Sequence, residues 1–227
     1  FLKMRAKING LDLFFEVKGG GRPILLIHGF PLNRKIWEPQ VPVLVQAGFK
    51  VITPDLRGFG ESEAPDDLYS MDLFSDDLAA LLDYLDIEKA VIGGMAMGGY
   101  ILLNFMERYP KRIEKAILMV TRPGGDTEAG KERRTSLMEK AQQGDKEEVV
   151  KAFEAVLFEE EGFAKRKDLV DLVRSWMRAT SVNGMVGGLM AMRDRKDYTS
   201  LLPELTTPTR VVVAELDKAV KLELAKE

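Results

Sequence analysis

The sequence predicts an α/β fold, a mostly parallel sheet with helices on both faces and an inserted block of helices. Three observations carry that prediction. Short, nearly continuous apolar runs at residues 23–29 (PILLIHG), 50–54, 89–94 (KAVIGG) and 115–120 (KAILMV) read as strands buried on both faces, the pattern of a parallel sheet. Stretches with helical spacing alternate with these runs. From Arg122 to Arg195 the texture becomes helical and rich in Lys, Glu and Met, and residues 208–217 (PTRVVVAELD) then return to strand character. The resulting division is a core at 4–121, a helical cap at 122–197 and the remaining core at 198–227.

Each element has a local reason. Asn9-Gly10 stands between two strand-like runs and predicts a hairpin. Gly19 to Gly21 make a turn before the run that ends at Gly29. Pro39 and Pro42 confine any helix between Ile36 and Ala47 to its later part. The strand starting at Lys50 ends in a Gly-rich loop that runs to Ser62. A helix over 71–85 has Ser70 or Asp72 as its N-cap. A helix over 100–109 stops at Pro110. Ser181 to Gly188 (SVNGMVGG) reads as an interruption of the cap helices, a hinge or pocket wall.

Composition narrows the function. The 227 residues are 45% hydrophobic and 30% charged, with a net charge of −3. That balance gives no basic footprint for nucleic acid or anionic lipid. Cysteine is absent, which excludes disulfides and thiolate metal sites and suits a cytoplasmic protein. No apolar run reaches the ~18 residues of a membrane span, and the N-terminus lacks a signal-peptide pattern.

The chemistry is carried by residues 91–100, VIGGMAMGGY. A nucleophile elbow turns sharply from strand into helix and needs small residues around the reactive position, because backbone crowds backbone there. Gly94, Gly98 and Gly99 supply them around Ala96. The stretch aligns with no G-x-G-x-x-G fingerprint and lacks the Gly-Lys-Ser/Thr of a P-loop. In the order LLIHGFP, DLRGFGES, GGMAMGGY, each motif closes a predicted strand, and together they resemble the α/β-hydrolase superfamily. The chain looks most like its small bacterial esterases, enol-lactonases and perhydrolases.

The resemblance implies roles. The backbone N–H groups of Phe30 and Met97 would form the oxyanion hole. Ala96 stands where the nucleophilic serine should be, and Asp217 is the expected acid, with Asp126 a lower-ranked alternative. Asp55, Arg57, Gly58, Gly60 and Ser62 match a loop that is structural in the family. Trp37, Trp176, Met185 and Met190 are expected around the substrate, pliable methionines suiting an apolar pocket. The implied ligand is a small ester or lactone, with no metal, cofactor, nucleic acid or membrane. A dehalogenase, which shares fold and cap, would need Asp at position 96.

Three departures predict an inactive chain. A methyl group replaces the reactive hydroxyl at Ala96. The only histidine, His28, precedes the elbow and is expected to fix the oxyanion loop, so no base follows Asp217. The resemblance also implies further elements beyond Asp217, whose lack would expose apolar surface and favour self-association or pairing with a complementing segment. Arg210 suits such an exposed surface, and Lys221 lets a helix run on through 221–227. Residues 1–3 resemble either the tail of the family's last helix or tag residues before a start at Met4. These features predict an engineered serine-hydrolase scaffold or, alternatively, a non-catalytic ligand-binding module.

Overall fold

Asn9 and Gly10 both adopt positive φ, 49° and 76°, and fold β1 (Leu2–Ile8) back on β2 (Leu11–Lys18) with Ile8 opposite Leu11. In the computed structural model residues 2–217 are described, the side chains of Leu2, Lys3 and Glu160 apart. The other strands are β3 (Arg22–Ile27), β4 (Phe49–Pro54), β5 (Ala90–Met95), β6 (Ile113–Met119) and β7 (Thr209–Val212). They form one sheet in the order β1-β2-β4-β3-β5-β6-β7. β2 joins β4 antiparallel, and every pairing from β4 to β7 is parallel. Leu2 and Lys3 pair with Val17 and Glu16 as part of β1, so their backbone is strand, not the end of a helix.

Successive side chains of a strand point to opposite faces, and β3 shows the consequence. Leu25 and Ile27 enter the main core with Phe15, Ile52, Ile101 and Phe105, whereas Ile24 and Leu26 join a smaller core with Trp37, Val41, Val51 and Val91. α1 (Val41–Gln46) begins beside Pro42, as the prolines require. α2 (Met71–Tyr84) is capped by Ser70, whose hydroxyl accepts the Leu73 N–H at 3.0 Å. Asp72 is not the cap; its carboxylate accepts from Asn104 Nδ2 at 2.6 Å. α3 (Met97–Arg108) starts at Met97 rather than Tyr100, because the turn at Ala96 passes directly into the helix.

The helical block comprises α4 (Glu128–Gln142), α5 (Lys146–Leu157), α6 (Glu160–Lys165), α7 (Lys167–Ala179) and α8 (Val182–Arg193). α8 corrects the expectation of a break at Ser181 to Gly188. Ser181 is its N-cap, accepting the Gly184 N–H at 3.0 Å, and the glycines lie inside the helix. They are there for close approach. A Cβ on Gly184 would lie 1.9 Å from the Gly58 carbonyl oxygen, and one on Gly187 would lie 2.2 Å from the Tyr69 ring. α8 therefore seats directly on the core's loops, and this contact outweighs the helix-weakening effect of glycine.

Two buried ion pairs fix the loop after β4. The fully buried Asp55 carboxylate accepts the Arg34 N–H at 2.8 Å and an Arg34 guanidinium N–H at 2.5 Å. Arg57 donates twice to Asp77, both at 2.8 Å. Ser62 Oγ donates to the Asp55 carbonyl at 2.6 Å and accepts the Phe14 N–H at 2.8 Å, a structural role. At the far side β7 is exposed along its length, with Val211 49% and Val212 45% accessible, and Arg210 is exposed beside them. No helix among the described residues is long and apolar enough to cross a membrane. The expected helix through 221–227 and Phe1 lie outside the described residues.

Candidate active site

Ala96 joins β5 to α3 at φ 50°, ψ −112°, a left-handed conformation that a non-glycine residue adopts only under constraint. The constraint is visible. Its N–H donates to the Met119 carbonyl at 3.0 Å, and its carbonyl accepts from Gly99 N at 2.9 Å and Thr121 Oγ1 at 3.0 Å. The surrounding glycines have no room for a side chain. A Cβ on Gly98 would lie 2.4 Å from the Ile27 carbonyl oxygen, and one on Gly99 2.5 Å from the Thr121 side chain. This is the geometry of a nucleophile elbow, with a methyl group at its tip.

The loop after β3 lies against the tip. A Cβ on Gly29 would stand 3.4 Å from that of Ala96. His28 anchors the loop: its Nε2 accepts the Leu56 N–H at 3.0 Å, so Nδ1 carries the proton and donates to the Gly29 carbonyl at 2.9 Å. Burial depresses its pKa below the usual histidine value, outweighing the attraction of Asp55, and the ring is neutral. From the cap, Thr180 Oγ1 donates to the Pro31 carbonyl at 3.0 Å. The Phe30 ring packs edge-on against Phe59 and Phe153, with centroids 5.9 and 4.6 Å away. Met97 opens α3, so its N–H has no carbonyl of its own helix to meet. Among the described residues neither the Phe30 nor the Met97 amide donates to another group.

Ala96 opens into a cavity of about 550 Å³, lined also by Val120, Val156, Phe158, Leu216 and Asp217. Asp217 follows β7, with its N–H on the Ala214 carbonyl at 3.2 Å. The structure thus brings Ala96 and Asp217 to one cavity. It does not bring the four expected pocket residues there. Trp37 is buried in the smaller core with Ile24, Leu26 and Val41. Met185 is wholly buried in the main core, Met190 packs against it, and Trp176 lies half-buried on α7. The cap's contribution comes instead from residues 156–159 at the end of α5. The signal for these was the apolar run Val156-Leu157-Phe158 where the helix stops.

Asp126 takes no part in that cavity. Its buried carboxylate is shared by Arg195 at 2.7 Å, Arg122 at 3.3 Å and Arg134. Burial alone would raise its pKa, but the guanidinium groups hold it below the usual carboxylate value.

The family model described as alpha/beta hydrolase fold matches residues 22–222, and the chain belongs to that family. It is 32% identical over 234 residues to the AB hydrolase superfamily protein YisY of Bacillus subtilis, covering 96% of this chain and 82% of that protein. A thermophilic esterase from Thermogutta terrifontis, solved with malate bound, superimposes with a TM-score of 0.94 at 32% identity, covering 100% of this chain and 85% of the esterase. The bifunctional esterase/perhydrolase DCH of Acinetobacter calcoaceticus is 28% identical over 244 residues, covering 96% of this chain and 83% of that protein. Matches to two non-heme chloroperoxidases, from Synechocystis sp. and Kitasatospora aureofaciens, span only 41% and 42% of those proteins. The scaffold is esterase-type.

Proposed function

We propose that the chain is the frame of a serine-type carboxylic ester or lactone hydrolase whose nucleophile position is held by Ala96. The observation that carries this reading is the strained elbow at Ala96 opening into the same cavity as Asp217. A hydroxyl at position 96 would attack the carbonyl carbon, and the amides of Phe30 and Met97 would hold the resulting oxyanion, each such donor contributing about 2.7–4 kcal/mol. Asp217 would orient an imidazole that takes the hydroxyl proton. The methyl group of Ala96 stops the sequence before bond formation, a loss on the order of 10⁶ in turnover. Likeness to the Thermogutta esterase and the Acinetobacter esterase/perhydrolase supports a small ester as ligand.

The missing base belongs to the same proposal. Both ring nitrogens of the sequence's one histidine are engaged away from Ala96, so an imidazole must come from a complementing segment or partner. The exposed flank of β7 is where such a segment would pair. Ala96 and the lack of cysteine support an engineered, inactive cytoplasmic form. The engagement of His28 also favours the second reading, a ligand-binding module that performs no chemistry.

Turnover of p-nitrophenyl acetate by the parent and by Ala96→Ser, each with free imidazole as the base, separates the two. The hydrolase reading predicts a gain of about tenfold or more in the variant, general-base assistance typically contributing ~10²–10⁴. No gain in a folded variant favours the binding module.

A further inference from the structure

A second cavity, of about 260 Å³, adjoins the one at Ala96, and Val156 lines both. Its lining includes Tyr100, which stands four residues into α3 from the elbow and so about 6 Å along the helix axis. Arg122, Arg133 and Arg134 also line it, with Asp126 the one carboxylate in the wall. That carboxylate is already shared by Arg122, Arg134 and the buried Arg195, which stacks 4.0 Å over the Tyr100 ring. Arg133 forms no ion pair among the described residues. The wall therefore carries surplus positive charge on guanidinium forks, which suit a carboxylate. Among the described residues the first cavity is lined by Glu159, Glu215 and Asp217 and by no arginine.

We infer that this arginine-walled cavity is a subsite for a substrate carboxylate, so that the preferred ester is the half-ester of a short dicarboxylic acid. The assignment of an ester to the cavity at Ala96 rests on the hydrolase reading above; the arginine wall adds the acid group. Val156 lines both cavities, so the ligand that would place its ester carbonyl at Ala96 and its carboxylate at the arginine wall is a short one.

Because Ala96 does not turn the ligand over, binding can be measured directly by titration calorimetry. The probes are monomethyl succinate and its neutral counterpart dimethyl succinate. The inference predicts that the monoester binds about tenfold or more tightly. It also predicts that the double variant Arg122→Gln, Arg133→Gln brings the monoester down to the level of the diester. Arg134 and Arg195 are left in place as the closer partners of Asp126, Arg122 being the more distant at 3.3 Å; a melting curve of the double variant verifies that it is folded. Equal affinities in the parent, or a preference that survives the double variant, overturn the subsite and leave the ester reading standing. Binding of neither probe overturns both.

Discussion

Gly94 and Gly98 meet across the turn at Ala96: a Cβ on Gly94 would lie 2.2 Å from the Gly98 carbonyl oxygen. The contact is backbone against backbone, so no side chain can move aside to relieve it. Gly98 is equally confined on its other side, by the Ile27 carbonyl. Gly98→Ala should cost about 2 kcal/mol or more of stability, seen as a lower urea midpoint. An unchanged midpoint would mean the strand and helix do not approach this closely.

The same turn predicts a stabilising change. At φ 50° Ala96 sits where glycine is at ease and alanine is strained, by on the order of 1–3 kcal/mol. Glycine gives back up to about 1 kcal/mol through a freer unfolded chain. Ala96→Gly should therefore raise stability by about 1 kcal/mol, measured by the same unfolding curve. A loss of stability would show that the methyl group contributes packing that exceeds the strain.

His28 sets a pH dependence. Its folded pKa lies below the ordinary 6.5 because burial disfavours the charged ring. The unfolded chain therefore binds the proton first as pH falls. The stability that neutral His28 contributes is complete above about pH 6.5 and declines below it, toward the folded pKa, by at most about 1.4 kcal/mol per pH unit. His28→Gln should be less stable at pH 7 and should lack this part of the slope. Parallel stability–pH curves for parent and variant between pH 7 and 5 would contradict the assignment.

Asp126 and Asp217 should separate in experiment. Removing the charge of Asp126 leaves Arg134 and the buried Arg195 without their carboxylate, and Asp126→Asn should cost about 3 kcal/mol or more. Asp217→Asn should instead lower the imidazole-assisted turnover of the Ala96→Ser protein. Melting temperature and p-nitrophenyl ester turnover, measured on both variants, test the division. A stable Asp126→Asn that abolishes turnover would reverse it.

Much of the fold was legible because it follows from local pattern. The apolar runs of β3 to β6 are buried strands, Asn9-Gly10 supplies the left-handed turn of the hairpin, and the glycines around Ala96 are where backbone meets backbone. What was not legible depends on distant partners. Glycines in SVNGMVGG read as a break, since nothing nearby reveals that Gly58 and Tyr69 will press against them. Trp37 and the methionines read as pocket residues from their type and their place beside the oxyanion loop and in the cap, but packing puts Trp37 and Met185 in the two cores. The arginines around Asp126 come from Arg122, Arg134 and Arg195, and only the folded cap gathers them.

The most direct test of a hydrolase frame stopped at its nucleophile is covalent. The parent and Ala96→Ser proteins are treated with an alkyl fluorophosphonate in the presence of free imidazole and analysed by intact and peptide mass. The account predicts a single adduct in the variant, on the peptide that carries position 96, and none in the parent. An unmodified variant, or the same adducts in both proteins, would contradict it.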